Sequence, residues 1–323
     1  MTIGVVLLAY AVCVGTLSSR ALGRARWTSR APQLAIYAYL TAAWSTLAAL
    51  GLAGLTLAVH TSAFGGGLSH LIGACVIRLR DMYATPGGAA AAGLGLTITG
   101  AVLARTAFVT VTHVRAVRQQ TRQHAQTARM VGRPDAALGA TLVDHHQPAA
   151  YCVAGRPPTV VLTTAALQAL EPAQLDAVLA HERAHLAGHH HQLVTMARIV
   201  RQVLPFLPLM RDTEAQVARL AELHADDMAL RSREPGLLAT ALVILATPAA
   251  PVPGLAAAAT DAIGRIHRML GPAEPPLGPV RRHLLRGAVA ALALTPVLLA
   301  LAPAVVALAL GRVPGAWAAG PYS

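Results

Sequence analysis

Lysine is absent from this chain. All 26 basic residues are arginine, set against 14 acidic ones, for a net charge of +12 over 323 residues. Charge of either sign is scarce, at 12%, where a soluble globular domain carries about 25%. With 55% hydrophobic residues, that scarcity excludes a single soluble unit and makes membrane segments the first expectation. Cysteine is scarce too. The three cysteines, Cys13, Cys75 and Cys152, lie far apart. This excludes a disulfide framework and a C-x-x-C metal pair, and it fits a reduced compartment for the polar part. No repeat of about 20–50 residues is present, so a solenoid is excluded. The basic surplus raises the question of nucleic-acid binding. The arginines cluster beside the apolar segments, however, where they set membrane topology, and no direct nucleic-acid partner is expected.

Four apolar stretches are present. The first, residues 3–17, extends to 1–19 and so reaches the lower end of a span; no basic segment precedes it, so it reads as a retained helix rather than a signal peptide. The second covers 33–59 and the third about 88–111, with Arg105 near its far end, where the side chain can reach the headgroups. The fourth covers 284–310 and contains Pro296 and Pro303, which a membrane helix tolerates and which are expected to kink it. Arg20, Arg24, Arg26 and Arg30 follow the first span, Arg115, Arg118, Arg122, Arg129 and Arg133 follow the third, and Arg281, Arg282 and Arg286 precede the fourth. Loop 61–86 has only Arg78 and Arg80, offset by Asp81. The positive-inside rule then gives one topology, with both termini outside and the segment between spans three and four cytoplasmic. Loop 61–86 falls outside, with "LSHLIGACVIRLRDMY" as a candidate interfacial helix.

The chain thus divides into three spans with loops (1–112), a cytoplasmic domain (113–283), and a fourth span with a short tail (284–323). The basic segment "HVRAVRQQTRQHAQTARM" continues helically out of span three. Three short strand-like runs follow, 139–144, 149–155 and 159–164, separated by the turn signals "HHQP" and "GRPP". They predict a small sheet or hairpin. Helices follow, one beginning at Glu171–Pro172 with proline at its first position, others near 192–204, 213–233, 236–246 and 258–270. The expected fold class is mainly α: a polytopic membrane protein of about four transmembrane helices with a cytoplasmic α+β domain.

The stretch "AVLAHERAHLAGHHHQLV" carries the chemistry. His181, Glu182 and His185 form H-E-x-x-H. On a helix, residues four apart share a face, so both imidazoles can address one Zn²⁺ while Glu182 takes a proton from a water that the ion activates. Two readings complete the shell. In one, His191 extends the motif to H-E-x-x-H-x-x-G-x-x-H, which needs the helix to break at Gly188. In the other, Glu222 of "RLAELHADDMAL", 37 residues after His185, completes a His₂Glu site, and Asp226 one turn on orients a ligand histidine. The second fits better, because "HHHQLVTMARIVRQVL" reads as helix without a break. His189 falls on the face of His181 and His185 and reads as an exposed helix end. His190 and His191 read as surface or ligand-supporting residues, His224 as a polar-face histidine, and Cys152 as a buried strand residue rather than a nucleophile.

"HERAH" followed by "ELHAD" resembles the bacterial membrane zinc peptidases of the BlaR/MecR type and their relatives among the CAAX-processing and heat-shock membrane peptidases. Arginine usage with abundant Ala, Gly and Pro also suggests a GC-rich bacterial genome. The resemblance implies a gluzincin-like peptidase domain with His181, His185 and Glu222 as zinc ligands, Glu182 as general base and Asp226 behind the ligands. It implies an endopeptidase of the bacterial cell membrane. Its partners would be the lipid bilayer and a protein or peptide substrate, a transcriptional repressor or the chain itself. No penicillin-binding sensor domain follows the last span, so direct β-lactam sensing is not expected. The alternatives are a quality-control protease and a non-catalytic signalling protein with a structural zinc.

Overall fold

The computed structural model describes residues 2–58, 88–155, 157–246, 255–272 and 275–309. Loop 61–86 and most of the C-terminal tail lie outside the described residues. Among the described residues, four helices are long and apolar enough to cross a membrane: α1 (Thr2–Arg24), α3 (Pro32–Ala58), α4 (Gly88–Val131) and α11 (Pro279–Ala309). They fall on the four apolar stretches of the sequence. A single turn of helix, α2 (Trp27–Arg30), joins α1 to α3. Helix α4 runs unbroken for 44 residues, across the division near 112, and α11 stays helical through Pro296 and Pro303.

Helix α3 is the hub of the spans. Small residues let the backbones approach: Ala49 and Ala53 pack with Leu7 and Ala11 of α1, and Gly54 faces the carbonyl of Gly95 so closely that a Cβ would collide with it. Polar contacts join the helices where lipid offers no partner. Ser45 Oγ donates to Leu292 O (2.9 Å), as does Tyr10 Oη (3.1 Å), and Thr99 Oγ1 donates to Gly51 O (3.0 Å). Arg105, expected to reach the headgroups, instead donates to Val203 O (2.7 Å) and Gln202 O (2.8 Å) at the end of another helix.

The polar segment opens with a four-stranded sheet: β1 (Arg133–Asp135), β2 (Ala140–Val143), β3 (Ala150–Val153) and β4 (Thr159–Thr163), in the order β1-β2-β4-β3. Strands β2 and β4 run parallel, with Ala140 opposite Val160; the other pairs are antiparallel. Three strands follow the sequence reading. Strand β1, three residues with a central proline, carries no strand signal. Against the sheet lie α5 (Thr164–Ala169) and α6 (Pro172–Ala187). The start of α6 fits its sequence: Pro172 occupies the first turn, and the Glu171 backbone donates to Gln174 Oε1 (3.0 Å) in a capping box. Then come α7 (His190–Val203), α8 (Pro208–Ala229), α9 (Pro235–Ala246) and α10 (Leu255–Leu270).

Two apolar cores result. One joins the sheet to α6 and α9 through Val160, Leu162, Leu175, Val178, Leu179 and Leu238. The other joins α7 and α8 to α3, with Val200, Val203, Leu209, Met210, Val217 and Leu220 against Ile36, Tyr39 and Leu40. The second core means the polar segment is built onto the spans rather than tethered to them. Leu162 is fully buried, so Leu162→Ala should cost about 2–5 kcal/mol through lost burial and a residual cavity. Thermal unfolding of the detergent-solubilised protein should show a clear drop in Tm, while Leu167→Ala, at a side chain 38% exposed, should leave it nearly unchanged.

Candidate metal centre

Helices α6 and α8 cross so that two motifs distant in sequence face one point. His181 and His185, one turn apart on α6, bring their Nε2 atoms to 3.1 Å of each other. Glu222, on α8, sets Oε2 3.6 Å from His181 Nε2 and Oε1 3.5 Å from His185 Nε2. One ligand atom from each lies within 4.8 Å of the others. Ligands at about 2.0–2.1 Å in a tetrahedral shell stand roughly 3.3 Å apart, close to these separations. Neutral imidazoles whose lone pairs converge on a carboxylate repel it and each other unless a proton or a cation lies between. The donor set and its spacing therefore fit a zinc ion.

One ring of residues supports these three from the α10 side. Asp226, fully buried one turn after Glu222, sets Oδ1 3.1 Å from His181 Nδ1. The distance is that of a hydrogen bond but the alignment is not, leaving Nδ1 without a bonded partner. Arg265 of α10 spans both acids, donating from Nη2 (2.7 Å) and Nε (2.8 Å) to Asp226 and pairing through Nη1 with Glu222 Oε2 (2.8 Å). Burial opposes charge on both carboxyls, but the bonds to Arg265 and the nearby His181 ring hold Asp226 below the usual carboxylate range. Those to His181 and His185, with Arg265 beside them, hold Glu222 well below it. Burial likewise opposes charge on His181, yet its contacts with Asp226 and Glu222 lift it to about 9. The sequence reading missed Arg265, which stands in "DAIGRIHRML" as one of two arginines on an ordinary helix.

The other side is closed by the histidine run. Helix α6 ends at Ala187, Gly188 caps it, and His189 takes a left-handed backbone (φ 50°) before α7 begins. The helix therefore ends at the Gly188 cap and a new one starts near the expected 192–204 segment, and His189 is the exposed helix-end residue the sequence suggested. The turn does not deliver His191, which is also exposed. It delivers His190, 2% exposed, whose Nδ1 lies 2.9 Å from His185 Nδ1 and whose Nε2 lies 2.9 Å from His224 Nδ1. A Cβ at Gly188 would collide with the His190 ring, so glycine is required for this approach. Burial, with His185 and His224 beside it, drives His190 down to about 3, so the ring stays neutral and can fix the tautomer of His185. His224, read as a polar-face residue, is the far end of this chain of rings.

Glu182 opens onto a cleft of about 320 Å³ lined by His181, Glu222 and Arg265 on one side and Ala150, Leu238 and Leu242 on the other. Burial lifts its carboxyl above the ordinary range, against the pull of His181 and His185. Cys152 of β3 contacts it. Burial and the Glu182 carboxylate push that thiol up to about 12, so it stays protonated near neutral pH and is no nucleophile.

The architecture is a mostly helical segment with a small sheet and a group of side chains that could hold a metal ion, built onto four helices long and apolar enough to cross a membrane. Residues 114–242 match the family model described as Peptidase family M48, a family of zinc metallopeptidases that are typically metal-dependent. The match takes in both motifs, His190 and the sheet, but not Arg265, and it carries no BlaR/MecR specificity. No curated protein and no solved structure matches the chain.

Arg265 keeps a buried carboxylate ionised, and its loss has a definite pH signature. Asp226 titrates below its unfolded value, so its contribution to stability is present above pH about 4 and fades as pH falls through the folded pKa. Arg265→Ala should destabilise the protein by on the order of 3 kcal/mol near neutrality, by stranding that charge. In thermal melts the gap from wild type should narrow as pH drops below about 4. A gap independent of pH would remove the ion pair as its cause.

Proposed function

We propose that this chain is a membrane-embedded zinc endopeptidase whose active site is the α6–α8 crossing. His181, His185 and Glu222 hold the ion, Asp226 and His190 orient the two imidazoles, and Glu182 is the general base. The observation that carries this reading is that Glu182 lines the same cleft as His181 and Glu222, two of the three side chains that converge on the candidate metal point. A site that only held zinc for structure would need neither that carboxylate nor the cleft. Bound there, zinc supplies Lewis-acid polarisation of the scissile carbonyl and lowers the pKa of a water. Glu182 takes the proton from the attacking water and returns it to the leaving amine; its partial desolvation raises its basicity for that task. Leu238, Leu242 and Leu245 give the cleft an apolar wall suited to a hydrophobic substrate side chain.

The layout of three spans, peptidase domain and fourth span supports a role in signalling, by cleavage of a regulatory protein such as a repressor or of the chain itself. The arginine distribution supports a cytoplasmic site with both termini outside.

Metal content of the purified protein tests the ligand set. Wild type and His191→Ala should each retain zinc, and Glu222→Ala should lose most of it. Zinc loss in His191→Ala with retention in Glu222→Ala would move the third ligand to the histidine run. Glu182→Gln should retain zinc while proteolysis falls by at least about 100-fold, the usual contribution of a general base. Equal turnover by wild type and Glu182→Gln would refute the assigned base.

A further inference from the structure

The run "VLPFLPLM", residues 203–210, holds eight apolar residues in a row, between the Arg201–Gln202 pair and Arg211. It takes in the end of α7, the turn and the start of α8, and no candidate span includes it. Phe206 at its tip is 75% exposed, and Phe108 on α4 is 70% exposed.

The spans' own contacts give the depth of this turn. In α11 the last arginine is Arg286, and six residues further along Leu292 O accepts from Ser45 and Tyr10. At 1.5 Å per residue, that layer lies about 9 Å past the last charge, inside the hydrocarbon. Leu207 reaches the same layer. A Cβ on Gly15 would stand 3.2 Å from Leu207 Cδ1 and 3.5 Å from Cγ2 of Thr46, the neighbour of Ser45. Helix α8 gives an independent measure. Asp212 accepts a hydrogen bond from Ser19 (2.5 Å), which adjoins Arg20 at the charged end of α1. Leu207 lies five residues before Asp212, about 7.5 Å deeper.

We infer that the α7–α8 turn is a hairpin inserted into the hydrocarbon layer of the bilayer from the arginine-rich side, with Phe206 facing lipid. Backbone groups at such depth need partners. The end of α7 has them: Arg105, itself within an apolar helix, donates to the carbonyls of Gln202 and Val203. Leu207 N donates to Leu204 O (3.2 Å). Pro205 and Pro208 contribute no N–H to satisfy. Arg105 and the end of α7 thus remove each other's cost of burial: a charge otherwise expensive in lipid meets the negative end of a helix. Sixteen residues separate His190 of the metal centre from Phe206, while Glu222 stands ten residues, about 15 Å, beyond Asp212 along α8. The inserted hairpin would hold the metal centre within that distance of the membrane surface. This inference is independent of the proposed proteolysis.

The test uses wild-type full-length protein in nanodiscs containing a phospholipid with a photoactivatable diazirine on its acyl chain. Trypsin cuts at Arg201 and Arg211 and releases the tip as one peptide, 202–211. Lipid adducts should appear in that peptide as they do in peptides of α4 and α11, and should be absent from peptides of β2–β4. A tip peptide free of adducts while the spans are labelled would overturn the proposal and leave the turn to a second copy or another protein. As a second measurement, Phe206→Trp in a background with the native tryptophans changed to phenylalanine should emit blue-shifted light and lose most of its intensity to lipids brominated in mid-chain. Leu167→Trp should do neither. Identical behaviour of the two would equally overturn the proposal.

Discussion

Everything in the polar half of this protein depends on α6 and α8 meeting face to face. His181 and His185 need only one turn of helix to become neighbours, but Glu222 must be brought from a separate element. The side chains that share the resulting point are two bases and an acid, none of which gains from the other's desolvation. The crossing is therefore secured elsewhere. Val217, Leu220 and Leu223 of α8 are buried among α3 and α7, and Leu175, Val178 and Leu179 of α6 are buried against the sheet and α9. Apolar burial on both flanks supplies what the polar centre costs.

Because α8 lies in the spans' core at one end and in the metal centre at the other, the two cannot be separate domains in the mechanical sense. The same helix carries Asp212 against Ser19 and, ten residues later, Glu222 against the histidines. Helix α10 closes the remaining side with charge: Arg265 reaches Glu222 and Asp226, while Arg268 pairs with Asp227 (2.7 Å) and donates to Ser29 O of α2 (3.0 Å). Residues 255–272 are thus fixed to both the site and the spans.

The sequence made legible whatever depends on periodicity or on a short motif. The four apolar stretches, three of the strands, the start of α6 and the motifs "HERAH" and "ELHAD" each rest on local signals, while the pairing of the two motifs came from the family resemblance. What escaped depends on tertiary approach. Arg265 looks like any helical arginine until α10 is placed over α8. His190 was one histidine of three in a row, and only the left-handed residue at 189 decides which one turns inward; a glycine beside the run was a hint, but it did not choose among them. Arg105 was read against a lipid background, when its partners were the carbonyls of a helix 97 residues away. The all-apolar run at 203–210 was visible as composition, but it is too short to count as a span and gained meaning only once Leu207 was found against Gly15.

The charges around the crossing argue for what it is built to hold. When ionised, Glu182, Glu222 and the fully buried Asp226 bring three negative charges to one site, and Arg265 returns one positive charge. His190 is held neutral, so it adds nothing. The remainder of two negative charges is what a divalent cation carries. The elevation of His181 to about 9 expresses the same imbalance, since carboxylates under this field draw a proton onto the nearest base. A proton answers only half of that demand and would occupy a nitrogen that faces the ligand point. A divalent ion such as zinc would answer all of it and leave both imidazoles neutral, with Asp226 Oδ1 3.1 Å from Nδ1 of His181 and His190 Nδ1 2.9 Å from Nδ1 of His185.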